Sequence, residues 1–198
     1  DHPSSIRLFE QISINKLTDK EIYELIDKHI NAFWNVHNRK VGVTDKFNEM
    51  MLEWSEGAPY IITQIMSSCL ELSTESEFDE KEFATAILSE NNGALLSIGE
   101  DLFLKRFKNV IDTVNIPSIQ IFKEFLKFDT FSIEEITDSL DMDDKNVLAL
   151  IESLEREGFL TKERNKYKFT SFILNKWLEA IVEKPHVYLS DWVSDRTW

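Results

Sequence analysis

The sequence predicts a mainly α-helical protein, with a helical bundle in its first half and a small β-hairpin near its end. Turn-forming residues are scarce in the 198-residue chain, which has only 5 Gly and 4 Pro but many Leu, Ile, Glu and Lys. Hydrophobic residues make up 42% of the chain, which suits a globular core and is too high for a disordered segment. Apolar residues also recur at helical spacing in successive segments.

The apolar pattern predicts four helices in the first half. The first covers residues 19–34, because Thr18 and Glu21 have the spacing of a capping box. The third is apolar on most sides and is therefore expected at the centre of the bundle. The segments 36–43 and 73–78 are polar and are predicted as loops. The last three helices are expected to begin near Thr44 or Asp45, at Pro59 and at Asp79.

The second half continues with helical spacing and then changes to a hairpin pattern. Ser132 and Glu135 match another capping box. The segment 159–169 is typical of two short strands around a tight turn, in which Asn165 tolerates a positive φ. The helices are predicted at residues 102–114, from Pro117, at 133–140, from Asp143 or Asp144 to 157, and at 172–182.

This order of helices, hairpin and final helix is that of a winged helix. We therefore predict a helical domain at residues 1–98, a winged-helix domain at 99–185 and an aromatic tail at 186–198. The boundary is placed after Asn91, Asn92 and Gly93, which break the helical pattern. The segment from 185 onward is predicted to be irregular. Its aromatic residues, which either fold back or anchor a neighbouring domain, are Tyr188, Trp192 and Trp198.

The composition argues against two classes of partner. The formal charge is −14, from 22 basic and 36 acidic residues, so the chain as a whole does not attract nucleic acid or anionic membranes. No apolar run approaches the ~18 residues of a membrane-spanning helix, and the start at Asp1 does not resemble a signal peptide. The single cysteine, Cys69, has no partner for an internal disulfide. We therefore expect a cytoplasmic location and no membrane partner.

Two features and their order point to a family. The segment Glu56-Gly57-Ala58-Pro59-Tyr60 opens an apolar helix, and the predicted winged helix follows in the second half. Together they resemble the C-terminal half of P-loop ATPases of the AAA+ superfamily, above all the signal-transduction ATPases with numerous domains (STAND) and their archaeal-type relatives. Residues 9–21 resemble the passage from the last core strand into the lid of these proteins. Residues 167–178 resemble the Y-x-F…W-L run that closes their winged helix, so the resemblance covers about residues 9–182.

The resemblance implies a regulatory fragment and not an enzyme. In these ATPases a four-helix lid and then a winged helix follow the nucleotide-binding core, and Gly57, Ala58 and Pro59 match the G-x-P element that lies against the nucleotide. The chain has no G-x-x-x-x-G-K-[ST] loop and no apolar strand ending in paired acids. ATP or ADP with Mg²⁺ is therefore expected in a separate ATPase core, which would be a partner and would precede Asp1. No catalytic residue and no cofactor are expected in this chain.

The same residues also have simpler interpretations. Gly57, Ala58 and Pro59 would serve equally as a helix-to-helix turn with Pro at the first helical position. No Arg lies in the first turns of that helix, where many AAA+ proteins have a phosphate sensor. No metal site is expected, because the histidines lack Cys or carboxylate partners at metal-ligand spacing. They are His2, His29, which is expected at the edge of the core, His37 and His186.

The predicted winged helix leaves two kinds of partner open. Helix 143–157, which would enter a DNA groove, has Asp143, Asp144, Glu152, Glu155 and Glu157 against Lys145 and Arg156. The hairpin is basic and is a candidate nucleic-acid contact, with Lys162, Arg164, Lys166 and Lys168 against Glu163. Because the helix is acidic, we expect docking within the protein or on other protein domains. The alternatives are a stand-alone winged-helix transcriptional regulator that binds DNA and a purely structural interaction module.

Overall fold

The computed structural model describes residues 16–90, 92–114, 118–140 and 142–189, and these residues are mainly α-helical, as predicted. Several expectations lie outside the described residues. They concern His2, the matching segment at 9–15, the helix start at Pro117, and the tail residues Trp192 and Trp198. No helix in the described part of the chain is long and apolar enough to cross a membrane.

The first half contains the four predicted helices, α1 (Asp19–His37), α2 (Asp45–Ser55), α3 (Pro59–Leu72) and α4 (Glu80–Leu88). The capping box at α1 is confirmed, since the N–H of Thr18 donates to the Glu21 carboxylate at 2.8 Å. α1 is about one turn longer than predicted and ends at Asn38, which has a left-handed φ of 51°. α3 lies at the centre of the bundle, because it contacts α1, α2 and α4.

Two segments predicted as loops contain short strands, so this prediction was wrong. β1 (Gly42–Val43) and β2 (Glu77–Phe78) pair in parallel. Phe78 is fully buried, and its ring centre lies 6.0 Å from that of Phe47. Strands of two residues have no recognisable period, and their pairing depends on contacts distant in sequence.

A continuous helix crosses the predicted domain boundary. It consists of α5 (Ala94–Gly99), a π-helical turn (Glu100–Leu104) and α6 (Lys105–Val114). The prediction started this helix at residue 102, about two turns too late, because Asn91, Asn92 and Gly93 interrupt the helical pattern. The boundary between residues 98 and 99 lies inside the helix, and the division into two domains stays a prediction.

The hairpin predicted at residues 159–169 is confirmed. β3 (Leu160–Glu163) and β4 (Lys166–Phe169) are antiparallel, and Phe131 forms a single bridge to Tyr167. The positive φ of the turn, 59°, belongs to Arg164 and not to Asn165, so that assignment was wrong. The surrounding elements are a 3₁₀ turn (Ile119–Ile121), α7 (Phe122–Phe125), α8 (Ile133–Ser139), α9 (Asp144–Arg156) and α10 (Phe172–Glu183).

The start of the predicted irregular tail is helical. Pro185–Tyr188 forms the single-turn helix α11, in which Pro185 is at the first position, where its missing N–H is not needed. The side chains of Tyr188 and Leu189 are buried. This part of the tail therefore folds back on the body of the protein, which was one of the two alternatives.

Residues from both halves share one hydrophobic core. α10 connects them, since it contacts α2 and α5 in the first half and β4 and α7 in the second. Its Trp177 is 1% exposed, with ring centres 5.5 Å from Phe103 and 5.4 Å from Phe107. The indole also lies against Gly99, where an added Cβ would overlap it. Gly99 therefore permits the close approach of α10 to the long helix 94–114.

Replacing Gly99 with Ala should destabilise the protein by about 1–3 kcal/mol, because the new methyl group overlaps an indole that is itself fully packed. Helix propensity alone predicts the opposite sign, a gain of up to about 1 kcal/mol. Urea unfolding would measure the difference in the free energy of unfolding.

Gly42→Ala is the matched control for this substitution. A Cβ at Gly42 would lie 4.0 Å from the Ser76 carbonyl oxygen, an ordinary van der Waals separation. Its effect should stay within about 0.5 kcal/mol. A Gly99→Ala protein as stable as the wild type would show that Trp177 does not fix the approach of α10.

Candidate functional site

The residues that match the G-x-P element form a tight turn between α2 and α3. Glu56 and Gly57 both have left-handed backbone conformations, with φ of 45° and 79°, which reverse the chain after α2. Pro59 is the first residue of α3, as predicted, and Ala58 before it supplies no side-chain cap. The first N–H groups of a helix lack partners inside it. The turn therefore presents an uncapped helix N-terminus, with Gly57 buried and Ala58 and Pro59 half-buried.

A glycine is required at position 57 because the backbone of Leu17 lies close to it. Its carbonyl accepts the N–H of Leu17 at 2.8 Å, and a Cβ added at Gly57 would lie 2.7 Å from the Leu17 carbonyl oxygen. The positive φ and this close approach both favour glycine. The glycine is thus fully explained by the helix-to-helix turn, and Leu17 occupies the space beside its Cα.

A long-range contact joins this turn to α10. The carboxylate of Glu56 accepts the N–H of Phe172, the first residue of α10, at 3.0 Å. The ring of Trp54 packs edge-on against Phe172, with ring centres 5.4 Å apart. An acid at a helix N-terminus satisfies an otherwise unpaired N–H and interacts favourably with the helix dipole. The residue before Gly57 therefore helps to fix the start of α10.

Sequence reasoning missed this contact. The sequence places Glu56 in the segment that opens α3 and Phe172 at the start of a later helix, and it does not relate the two residues. The two residues are 116 positions apart, and no local pattern relates them. The one local feature that could have indicated the contact is an acidic residue beside a glycine turn, and such residues are common on protein surfaces.

Two further polar contacts hold α3 in place. The Tyr60 hydroxyl donates to the Asp101 carboxylate in the π-helical turn. Burial, and after it this hydrogen bond, raises the pKa of Tyr60 to about 12. On α1, His29 Nε2 lies 3.3 Å from Thr63 Oγ1, and burial lowers the pKa of the imidazole. His29 is half-buried at the edge of the core, as predicted.

The four basic residues of the hairpin lie together, but two of them are paired. Lys166 contacts Glu135 of α8 at 3.3 Å, and Lys168 contacts Glu163 across the hairpin at 2.5 Å. The net positive charge of the hairpin together with the acids that pair with it is therefore lower than the hairpin sequence alone indicates.

The other two cations of the hairpin are more available. Lys162 lies over the ring of Tyr167, with its Nζ 5.1 Å from the ring centre. Arg164 is exposed at the turn and makes no ion pair within the described residues. The positive surface of the hairpin therefore reduces mainly to Lys162 and Arg164.

The described residues contain no group of three or more His, Cys, Asp and Glu side chains arranged to hold a metal ion. The thiol of Cys69 is buried, and burial raises its pKa to about 12, so it stays protonated at neutral pH.

Comparison of the chain with protein-family models, with curated proteins and with solved structures gave no match. The function is therefore inferred from the geometry of the Gly57 turn, the hairpin and the surfaces around them.

Replacing Glu56 with Ala removes the acceptor for the Phe172 N–H and should lower the free energy of unfolding by about 1–3 kcal/mol. The Phe172 amide should then exchange with solvent faster, because the start of α10 opens more easily. Urea unfolding and NMR hydrogen exchange measure the two effects.

Glu53→Ala is the control, because it removes an exposed acid three residues earlier, in α2. It should change stability by less than about 0.5 kcal/mol and leave exchange at Phe172 unchanged. Equal exchange rates at Phe172 in the wild type and in Glu56→Ala would mean that the contact does not hold α10.

The raised pKa of Tyr60 predicts a loss of stability in alkali. An unfolded tyrosine ionises near pH 10, so between pH 10 and about 12 the unfolded state releases a proton that the folded state retains. The free energy of unfolding should therefore fall as pH rises through this range, and Tyr60→Phe should show a smaller fall.

Absorbance titration of phenolate, wild type minus Tyr60→Phe, should give a pKa of about 12. Asp101→Asn should shift this value towards 10, because it removes the carboxylate that binds the phenol. A difference titration already centred near 10 in the wild type would contradict the contact.

Proposed function

We propose that this chain is a regulatory, non-catalytic part of an AAA+/STAND-type P-loop ATPase. The helices α1–α5 act as a lid over a nucleotide, which a separate ATPase core holds with Mg²⁺. Residues 99–185 act as a winged helix that docks on the lid. The order of elements supports this, because the bundle is followed by short helices, a hairpin and a final helix. A cytoplasmic location belongs to the same proposal.

The contact between Glu56 and Phe172 is the observation that carries the proposal. Gly57, Ala58 and Pro59, the residues expected near the nucleotide, follow Glu56 directly in the chain. Glu56 in turn binds the N-terminus of α10. A ligand that moves the turn changes a bond that fixes α10, so nucleotide occupancy and winged-helix docking become coupled. A switch requires such an interface with two states of different affinity.

The turn fits contact with phosphate only in part. α3 has 14 residues, and its uncapped N-terminus offers backbone N–H groups and the positive end of a helix dipole. Leu17 fills the space at Gly57, however, and the first turn from Pro59 to Ile62 carries no Arg or Lys. Phosphate contact would therefore come from the N–H groups of Tyr60 and Ile61, and the chain alone should bind nucleotide weakly.

The alternative function, DNA binding by a stand-alone regulator, has less support. The helix that would enter the groove, α9, is acidic on its exposed side, and acidic side chains repel phosphate. In the hairpin, Lys166 and Lys168 are paired with carboxylates. Docking on protein surfaces is therefore the favoured role of this part of the chain.

The chain alone should not hydrolyse ATP and should bind Mg-ATP or Mg-ADP with a Kd of about 1 mM or weaker. In an NMR titration, amide shifts should centre on Tyr60 and Ile61 and extend to Phe172. Glu56→Ala should abolish the shift at Phe172 and preserve the other two, whereas Glu53→Ala should preserve all three.

Two results would overturn the proposal. One is ATP turnover that co-purifies with the chain and survives substitution of both Gly57 and Pro59. The other is a set of nucleotide-dependent shifts that lies wholly outside the Gly57 turn.

A further inference from the structure

A groove lies between α8 and α9, on the side of the molecule that a winged helix would present to DNA. We call it the α8–α9 groove. Its volume is about 370 Å³, near the lower end of the roughly 300–1,000 Å³ of small-molecule pockets. It therefore suits one or two side chains of a partner better than a large cofactor. Its lining residues are Ile133, Glu134, Thr137, Asp138, Asp144 and Leu148.

The groove contains apolar surface that the protein does not cover. Leu148 is 39% exposed on α9, and Ile133 on α8 is half-buried. A single exposed leucine is ordinary on a protein surface. Here the two aliphatic side chains line the same depression, so an apolar side chain from outside can contact both.

The charged residues of the groove all have the same sign. Glu134, Asp138 and Asp144 are exposed, and within the described residues none of them forms an ion pair. Glu152 and Glu155 extend this charge, because they follow Leu148 by four and seven residues and lie on its stripe of α9. Negative charge therefore surrounds the apolar part of the groove and continues along α9.

The basic residues near this face offset its charge in part and lie outside the lining of the groove. On α9, Arg156 is exposed and donates to Ser153 Oγ at 3.1 Å, and Lys145 is exposed on the same face, three residues before Leu148. In the hairpin, Lys166 is bound to Glu135 and not to an acid of the groove. The acids that line the groove therefore remain available to basic side chains of a partner.

We propose that the α8–α9 groove docks a basic amphipathic segment of a partner protein. An apolar side chain of the segment packs against Leu148 and Ile133, and its Lys or Arg side chains pair with Glu134, Asp138 and Asp144. Charge complementarity selects this occupant, since the phosphate of nucleic acid or of an anionic membrane would meet the three carboxylates that line the groove, and the lining contains no basic residue. The inference rests on the docking role proposed above for this part of the chain, and it is independent of nucleotide sensing.

The probe for the experiment is a synthetic helical peptide of about 14 residues, or four turns, with Leu and Lys at amphipathic spacing. A peptide with Glu in place of every Lys is its counterpart. Fluorescence anisotropy of the labelled peptides measures binding to the whole chain at low salt and at physiological salt. Only the basic peptide should bind, and more weakly at the higher salt.

Three variants separate specific docking from general attraction to an acidic protein. Asp138→Asn with Asp144→Asn should weaken binding at least ~5-fold, and Leu148→Ser should weaken it about 5-fold by removing apolar contact. Asp27→Asn with Glu53→Gln removes the same charge from exposed positions on α1 and α2. This control should change binding by less than about twofold, and circular dichroism checks that each variant is folded.

Several outcomes would overturn the inference. One is an equal loss in the Asp27/Glu53 control, which would indicate non-specific attraction. A second is no loss in Leu148→Ser. A third is tight binding of duplex DNA that disappears when Lys162 and Arg164 are neutralised, and a fourth is a dimer of the free chain that Leu148→Ser dissociates.

The groove variants share no residue with the Gly57 turn. The nucleotide titration at Tyr60, Ile61 and Phe172 should therefore be the same in them as in the wild type. A wild-type chain that shows the nucleotide response but does not bind the basic peptide would refute the groove alone. The opposite pattern would refute the nucleotide-sensing role alone.

Discussion

The burial of Trp177 against Gly99 is the contact on which the arrangement of the two halves depends. It places α10 against the long helix 94–114, and the start of α10 then reaches the turn after α2. The two contacts of α10, at Trp177 and at Phe172, differ in kind. Around Trp177 the surface is aromatic and its attraction is non-directional, whereas the bond from Phe172 to Glu56 depends on distance and angle. A small movement of the turn therefore weakens the hydrogen bond from Phe172 to Glu56 first, while the packing of Trp177 keeps α10 in place.

The π-helical turn at Glu100–Leu104 lies where these contacts meet. Asp101 binds Tyr60 at the start of α3, and Phe103 packs against Trp177 of α10. π-helical turns occur often at functional sites, because the wider turn changes the direction of the side chains. Here one turn of the long helix contacts both α3, which follows the Gly57 turn, and α10. The long helix is thus packed against both halves.

Local rules explain which elements could be predicted from the sequence. Thr18 and Ser132 cap helices through bonds within four residues, and the basic hairpin follows from strand and turn chemistry over ten residues. The parallel pair β1–β2, the early start of α5 and the contact of Glu56 with Phe172 all depend on residues far apart in the chain. The glycines show the same limit. Gly99 lies inside a helix, and the reason for a glycine there is an indole 78 positions away in the chain.

The distribution of charge in the second half has a structural cause as well as a functional consequence. Lys166 and Lys168 form exposed ion pairs with Glu135 of α8 and Glu163 of the hairpin, and these pairs reduce the positive charge that the hairpin presents. Among the residues that the structure describes, the acids of α9 form no ion pair, and Asp144 lies at the start of the helix, where the dipole favours it. Net negative charge therefore remains on the face formed by α8 and α9. Because that face also exposes Leu148, it is suited to a basic protein surface with an apolar residue at its centre, and it is unsuited to the phosphates of DNA.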